Sequence, residues 1–171
     1  LPTVYLPSWN ILVRRADLKP WETALILSAS SGVGTAAIQV AKNVIGAKVI
    51  TTTSTAEKAE KALELGADHV INYNEEDIAD RVKEITGGNG VDVVLDHVGA
   101  DFWPAATRSL AMGGRYGICG VTSGYRAELQ MGIMFTRYQT VFGVFMGRPE
   151  DMRQIVEMAG RGVIKGVIHQ T

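Results

Sequence analysis

Residues 23–53 read TALILSASSGVGTAAIQVAKNVIGAKVITTT. The first run, Thr23 to Ser28, is short and apolar, as a buried strand would be. Ala29, Ser30, Ser31, Gly32, Val33 and Gly34 follow, a turn of mostly small residues. Ala37, Ile38, Ala41 and Val44 then recur at helical spacing, and Ala47 to Thr53 read as a second buried strand. The stretch predicts a strand, a tight turn, a helix and a parallel strand. Small side chains in the turn let a phosphate come close to the backbone. Its charge can then sit on the free N–H groups at the helix start.

Working outward, the alternation continues. Ser54 to Glu57 has capping-box spacing, and the helix it opens is closed by Gly66. Asp68 to Asn72 is a third strand. Asn74 is placed to cap a helix with Ile78, Val82 and Ile85 on its apolar face, stopped by Gly87 and Gly88. Val91 to Leu95 is a fourth strand, 101–112 a helix, Arg115 to Cys119 a fifth strand and 120–124 a loop. Residues 125–137 are ambiguous, with helical character around Met131 to Phe135. Tyr138 to Met146 reads as a sixth strand. Pro149, Glu150 and Asp151 open a last helix whose inner face is Ile155, Val156 and Ala159. Val163 to Thr171 reads as a strand leaving the domain. Six strands alternating with helices, each strand continuously apolar, predict an α/β fold: a doubly wound parallel six-stranded sheet in the order 3-2-1-4-5-6.

Residues 1–20 hold three of the five prolines and show no clear period. They read as a lead-in segment from a missing catalytic domain, with a short helix around Ile11 to Ala16, and 21–171 as the dinucleotide-binding domain. A start at Leu1 rather than Met fits a piece cut from something longer.

The chain has 171 residues and a net charge of −1 with both signs mixed, which offers no electrostatic case for nucleic acid or an anionic membrane. No apolar run reaches membrane-spanning length and no basic-then-apolar leader precedes the first strand. A single cysteine, Cys119, excludes a disulfide framework and a four-cysteine zinc site, and points weakly to a reducing, cytoplasmic setting.

The glycine turn is not a strict G-x-G-x-x-G, because Ala29 and Ser31 stand at the first two glycine positions and Gly34 at the third. A turn of this kind can also bind nothing; the flanking strand, helix and parallel strand favour a dinucleotide. The end of the second strand bears on which one. NAD sites usually carry Asp or Glu there, bonded to the ribose hydroxyl. Here Thr51, Thr52, Thr53 and Ser54 offer no carboxylate to repel a 2′-phosphate, and Lys58 lies one helical turn on. The bland alternative is that Lys58 is an ordinary surface lysine. No Tyr-x-x-x-Lys pair, Walker A loop or spaced metal ligands occur. Gly120 to Gly124 imitates a hydrolase elbow with Thr122 for Ser, but lacks a convincing helix after it. Asp96 and His97, at the end of strand four, could form an acid–base pair, or line a pocket and bond locally. No catalytic residue is assigned.

The run from Leu25 to Lys42 resembles the cofactor-binding domain of the medium-chain dehydrogenase/reductase family, which includes zinc-type alcohol dehydrogenases and quinone oxidoreductases. Further matches are Glu64 to Asp68, Val70 to Tyr73, Thr86 to Gly99 and Gly113 to Gly120. The resemblance implies hydride transfer between NAD(P)H and a small carbonyl, alcohol, quinone or enoyl substrate. It implies that Ala29 to Gly34 hold the pyrophosphate and that Ser54, Lys58 and Tyr73 hold a 2′-phosphate. It also implies that His97, Val98, Gly99, Gly120, Val121, Thr122, Ser123 and Phe145 lie along the nicotinamide half. The family's amino-terminal domain, with most of its zinc ligands, has no match here, so zinc is not supported by this segment.

The expectation is an NADPH-binding domain of an oxidoreductase, inactive when separated from its partner domain. The alternatives are a non-catalytic nucleotide-binding or interaction module, or the enoyl-reductase unit of a larger synthase. The apolar edge strand at 138–146 invites pairing with a second copy, and family members commonly form dimers there.

Overall fold

The computed structural model describes residues 2–167. Six strands form one all-parallel sheet in the order β3-β2-β1-β4-β5-β6. They are β1 (Thr23–Ile26), β2 (Lys48–Thr53), β3 (His69–Asn72), β4 (Val91–Asp96), β5 (Leu110–Ile118) and β6 (Thr140–Gly143). The helices are α1 (Pro2–Trp9), α2 (Gly32–Gln39), α3 (Ala56–Glu64), α4 (Ile78–Ile85), α5 (Trp103–Arg108), α6 (Met131–Thr136) and α7 (Pro149–Gly160). Helices α1 and α2 each run on into a wider π turn, at Asn10–Arg15 and Val40–Ile45. The fold class and strand order match the sequence reading.

Alternate residues of β1, β2 and β3 feed two separate cores, as the period of two requires, and an irregularity between Val91 and Val93 shifts the alternation in β4. Ala24, Ile26, Val49, Val93 and Leu95 pack against α1, α2 and α7. Leu25, Leu27, Ile50, Ile71, Val91 and Val94 pack against α4 and α5. Strands buried on both faces explain why their sequence is continuously apolar rather than alternating.

Several boundaries differ from expectation. The lead-in helix spans 2–15, not 11–16. Pro7 sits inside it at the cost of one backbone bond, offset by burial of Tyr5, Leu6, Trp9, Ile11 and Leu12. The helix expected over 101–112 stops at Arg108, because Leu110 already pairs with Val91. A bulge, with left-handed Gly113 (φ +72°), then absorbs the extra residues before Arg115 pairs with Val93. The sixth strand is shorter than 138–146. Tyr138 (φ +53°) turns the chain before it, and pairing with β5 ends at Gly143. Val156 is exposed; the inner face of α7 is Asp151, Ile155 and the half-buried Met152, Met158 and Ala159. The carboxy-terminal strand expected at 163–171 is not formed over 163–167, and its remainder lies outside the described residues. Lys165 is instead pinned to α2: its N–H donates to Gln39 Oε1 (2.7 Å), and its carbonyl accepts from Tyr5 Oη (2.8 Å) and Gln39 Nε2 (3.1 Å).

Candidate cofactor site

The turn from β1 into α2 is built on Ser28, which takes a left-handed conformation (φ +58°) that a non-glycine residue adopts only under constraint. The constraint comes from β2. Thr52 Oγ1 accepts from the Ser28 N–H (2.9 Å) and the Thr52 carbonyl from the Ala29 N–H (2.8 Å). The reversal therefore falls one residue before the first glycine position, and Ala29 fits there, buried. Ser31 caps α2: its hydroxyl accepts from the Gly34 N–H (2.8 Å) and lies 3.0 Å from the Ser28 carbonyl. A Cβ on Gly34 would stand 2.1 Å from the Ser28 carbonyl oxygen, so only glycine lets helix and strand pack this closely. Gly32 has a different reason: a Cβ there would meet Val4 Cγ1 of α1 at 2.7 Å. Ser8 Oγ of α1, 2.8 Å from the Val4 carbonyl, also lies 3.2 Å from the Val33 carbonyl, behind the turn. Among the described residues the N–H groups of Gly32 and Val33 have no hydrogen-bond partner. Ser30 and Gly32 are exposed. Unpaired N–H groups at an exposed helix start suit an anion.

The end of β2 brings Ser54 and Lys58 together, with Lys58 Nζ 3.4 Å from Ser54 Oγ. The helix cap is Thr55, not Ser54: Thr55 Oγ1 accepts from the Lys58 N–H (3.3 Å), which leaves the Ser54 side chain to Lys58. Tyr73 reaches the same end through its N–H on the Thr53 carbonyl (3.0 Å). Its half-exposed ring stands edge-on to Phe102 (5.0 Å, 90°). Asn74 caps nothing. Its Nδ2 holds the Ser54 carbonyl (3.0 Å), and Asp77 caps α4 by accepting from the Asp80 N–H (3.0 Å).

At the end of β4, Asp96 is fully buried. One oxygen accepts from the Val98 (2.6 Å) and Gly99 (3.0 Å) N–H groups, the other from Tyr116 Oη (2.8 Å). Burial raises its carboxyl above the ordinary value, although these bonds and the nearby His97 oppose the shift. Burial and the Asp96 charge together raise the Tyr116 phenol. Asp96 thus shapes the 97–99 loop. His97 turns the other way, with Nε2 2.7 Å from Ser31 Oγ, so the two do not form an acid–base pair but join this loop to the glycine turn.

The 120–124 loop lies against 97–99. Ser123 donates to the Val98 carbonyl through its N–H (2.7 Å) and its hydroxyl (2.9 Å), and Thr122 Oγ1 is 3.4 Å from the same oxygen. A Cβ on Gly99 would stand 2.9 Å from Val121 Cα, and one on Gly120 would stand 2.6 Å from the His97 carbonyl oxygen. Phe145 stands apart, 95% exposed beyond the end of β6. Burial and the Asp96 charge push the Cys119 thiol up to about 12, which disfavours the thiolate.

The sequence reading missed Ser8 and Tyr116, and the bonds that Thr52 and Asn74 make. Threonine in a buried strand end is one signal that could have found Thr52. The others are set by long-range contacts.

A glycine-rich turn and capped helix starts at the carboxyl ends of a doubly wound parallel sheet define the Rossmann-type α/β class. The chain belongs to the zinc-binding dehydrogenase family, whose sequence profile matches residues 32–161. It is 43% identical over 129 residues to quinone oxidoreductase 1 of Escherichia coli (strain K12), covering 75% of this chain and 39% of that protein. A solved NAD-dependent alcohol dehydrogenase superposes with a TM-score of 0.92 at 35% identity, over 98% of this chain and 48% of the other. The Escherichia coli quinone oxidoreductase complexed with NADPH superposes at 0.82 and 35% identity, over 97% and 54%. The chain thus spans about two fifths of the length of the curated relatives it matches. Despite the family's name, no group of three or more His, Cys, Asp or Glu among the described residues could hold a metal. The described residues therefore do not fit zinc. No helix among them is long and apolar enough to cross a membrane.

Proposed function

We propose that this chain is the cofactor domain of an oxidoreductase that prefers NADPH and exchanges hydride with a small carbonyl, alcohol, quinone or enoyl substrate. The observation that carries the reading is the end of β2, where Ser54 and Lys58 meet and no carboxylate intervenes. Relatives do not decide the point, since one solved neighbour is NAD-dependent and another holds NADPH. In this reading the turn from Ala29 to Gly34 receives the pyrophosphate, and Ser54, Lys58 and Tyr73 receive the 2′-phosphate. The loops 97–99 and 120–123, with Phe145, border the nicotinamide. The cofactor supplies the hydride; this chain's residues bind it, orient it and shield one side of it. Substrate positioning, worth about 7–11 kcal/mol of a catalysed barrier, falls to a domain that residues 1–20 lead in from. A cytoplasmic setting and a dimer through β6 belong to the same reading. A monomer at high concentration in sedimentation would remove the dimer.

Lys58 is exposed, so its hydrogen bond to a phosphate falls at the lower end of the usual 1.5–3 kcal/mol for charged partners, about tenfold in affinity. Calorimetric titration should find NADPH binding more tightly than NADH, by a margin that shrinks as salt rises. Lys58→Ala should weaken NADPH about tenfold and leave NADH unchanged. Equal affinities in the wild type, or a loss that strikes both cofactors alike, would defeat the NADPH assignment.

A further inference from the structure

The loops that follow β1 and β4 meet at His97. Its half-buried ring sets Nε2 2.7 Å from Oγ of Ser31, the cap of α2. The Ser31 hydroxyl has a single hydrogen and two lone pairs. It accepts from the Gly34 N–H (2.8 Å), and its hydrogen is contested by the Ser28 carbonyl (3.0 Å) and a bare His97 Nε2. A charged ring ends the contest. Its Nε2–H donates to Ser31 and the hydroxyl donates to Ser28, so each group has its partner.

Few other charges surround the ring. Residues 28–35 and 120–124 contain none. Asp96, at the end of the same strand, interacts with His97, but its oxygens are taken by Val98, Gly99 and Tyr116. On β5 and just after it, burial and Asp96 raise the Tyr116 phenol and the Cys119 thiol, so neither adds a charge near neutral pH. Asp101, where the loop runs into α5, is exposed, and Lys58 stands with Ser54 at the end of β2. Within 28–35, 97–100 and 120–124, His97 is the residue able to carry a positive charge. Histidine is also the side chain whose charge changes most readily near neutral pH.

In the free chain the positive end of α2 opposes charge on a ring held at its cap. An anion seated on that helix start reverses the sign, while Asp96 acts alike on both states. Ligand and proton then favour each other, and each must strengthen the other's binding by the same factor. We infer that His97 takes up a proton as the dinucleotide's pyrophosphate settles on the 29–34 turn, so that cofactor affinity rises as pH falls. The inference rests on the dinucleotide reading of that turn and adds to it a charged contact from the end of β4.

The test is calorimetric titration of the 171-residue chain with ADP-ribose. This ligand carries the pyrophosphate but lacks the 2′-phosphate, whose own proton would enter the count. Runs at one pH in PIPES and in ACES, whose heats of ionisation differ, give the number of protons exchanged. The wild type should take up a fraction of a proton, at most about one, and bind about tenfold more tightly at about pH 6 than at about pH 8. His97→Gln keeps an N–H for Ser31 and loses the charge, so it should bind with no uptake and with equal affinity at both pH values. Should His97→Gln fail to fold, nuclear magnetic resonance of the wild-type ring makes the same test: saturating ADP-ribose should move the titration midpoint of the His97 Cε1–H signal to higher pH. Binding without proton uptake, uptake that survives in His97→Gln, or an unmoved midpoint overturns the inference and leaves the dinucleotide reading standing. No ADP-ribose binding at either pH overturns the dinucleotide reading, and this inference with it.

Discussion

Replacing Gly34 with alanine isolates the close approach on which the glycine turn depends. The new Cβ would stand 2.1 Å from the Ser28 carbonyl oxygen, where ordinary contact begins near 3.4 Å. The carbonyl has little room to retreat, because Ser28 is fixed through its N–H by Thr52 and its oxygen receives the Ser31 N–H (3.2 Å). Either α2 lifts off β1 or the turn opens. Overpacking of this kind costs about 1–3 kcal/mol. Weakening the Ser31 cap on the Gly34 N–H adds about 1 kcal/mol. The expected loss is about 2–4 kcal/mol, or about 5–15 °C in Tm for a domain of this size. Thermal and urea melts followed by circular dichroism would measure it. Gly132→Ala is the control, since nothing lies within 4 Å of a Cβ there. Alanine in α6 should be neutral or stabilise by up to about 1 kcal/mol. A Gly34→Ala protein that melts within about a degree of wild type would refute the packing argument.

Two further substitutions probe groups that the site rests on. Asp96 has a raised carboxyl pKa, so the folded state holds this proton to a higher pH than the unfolded chain does. Its contribution to stability therefore falls as pH rises from 3.8 through the folded value. Asp96→Asn keeps an acceptor for Val98 and Gly99 but takes the one for Tyr116 Oη, so it should abolish that decline at a fixed cost in Tm; an unchanged pH profile would rule this out. Asp151, buried at the start of α7, accepts from Arg14 Nε (2.8 Å) and from the Arg148 N–H (3.1 Å). Asp151→Ala leaves both donors unpaired, and because Arg14 is partly exposed the expected loss is about 1–3 kcal/mol. A chemical melt showing no loss would mean that α1 does not depend on this link to α7.

The sheet was legible because its strands are buried on both faces, and short apolar runs between glycines and helix caps leave few alternatives. The glycine turn was legible for the same reason. Helix ends were less so. Ser54, Thr55, Asn74 and Asp77 are all competent caps, and the choice among them depended on where β2 and β3 end in three dimensions. The lead-in helix was hidden by Pro7, whose local penalty is outweighed by burial against α2 and α7 that no local window reveals. The reason for Gly32 was hidden, because its partner is Val4, far away in sequence. The separation of Asp96 from His97 was also out of reach. It depends on Tyr116 and Ser31, which approach from two different elements.

The central claim is that the crevice at the carboxyl ends of β1, β2 and β4 binds a dinucleotide. Nuclear magnetic resonance of the isotope-labelled chain tests it most directly, by recording backbone amide signals during titration with NADPH. The account expects the largest shifts at Gly32 and Val33, whose N–H groups have no partner among the described residues. Smaller shifts should appear at Ser54, Lys58 and His97. Saturating NADPH that leaves Gly32 and Val33 unmoved would contradict it.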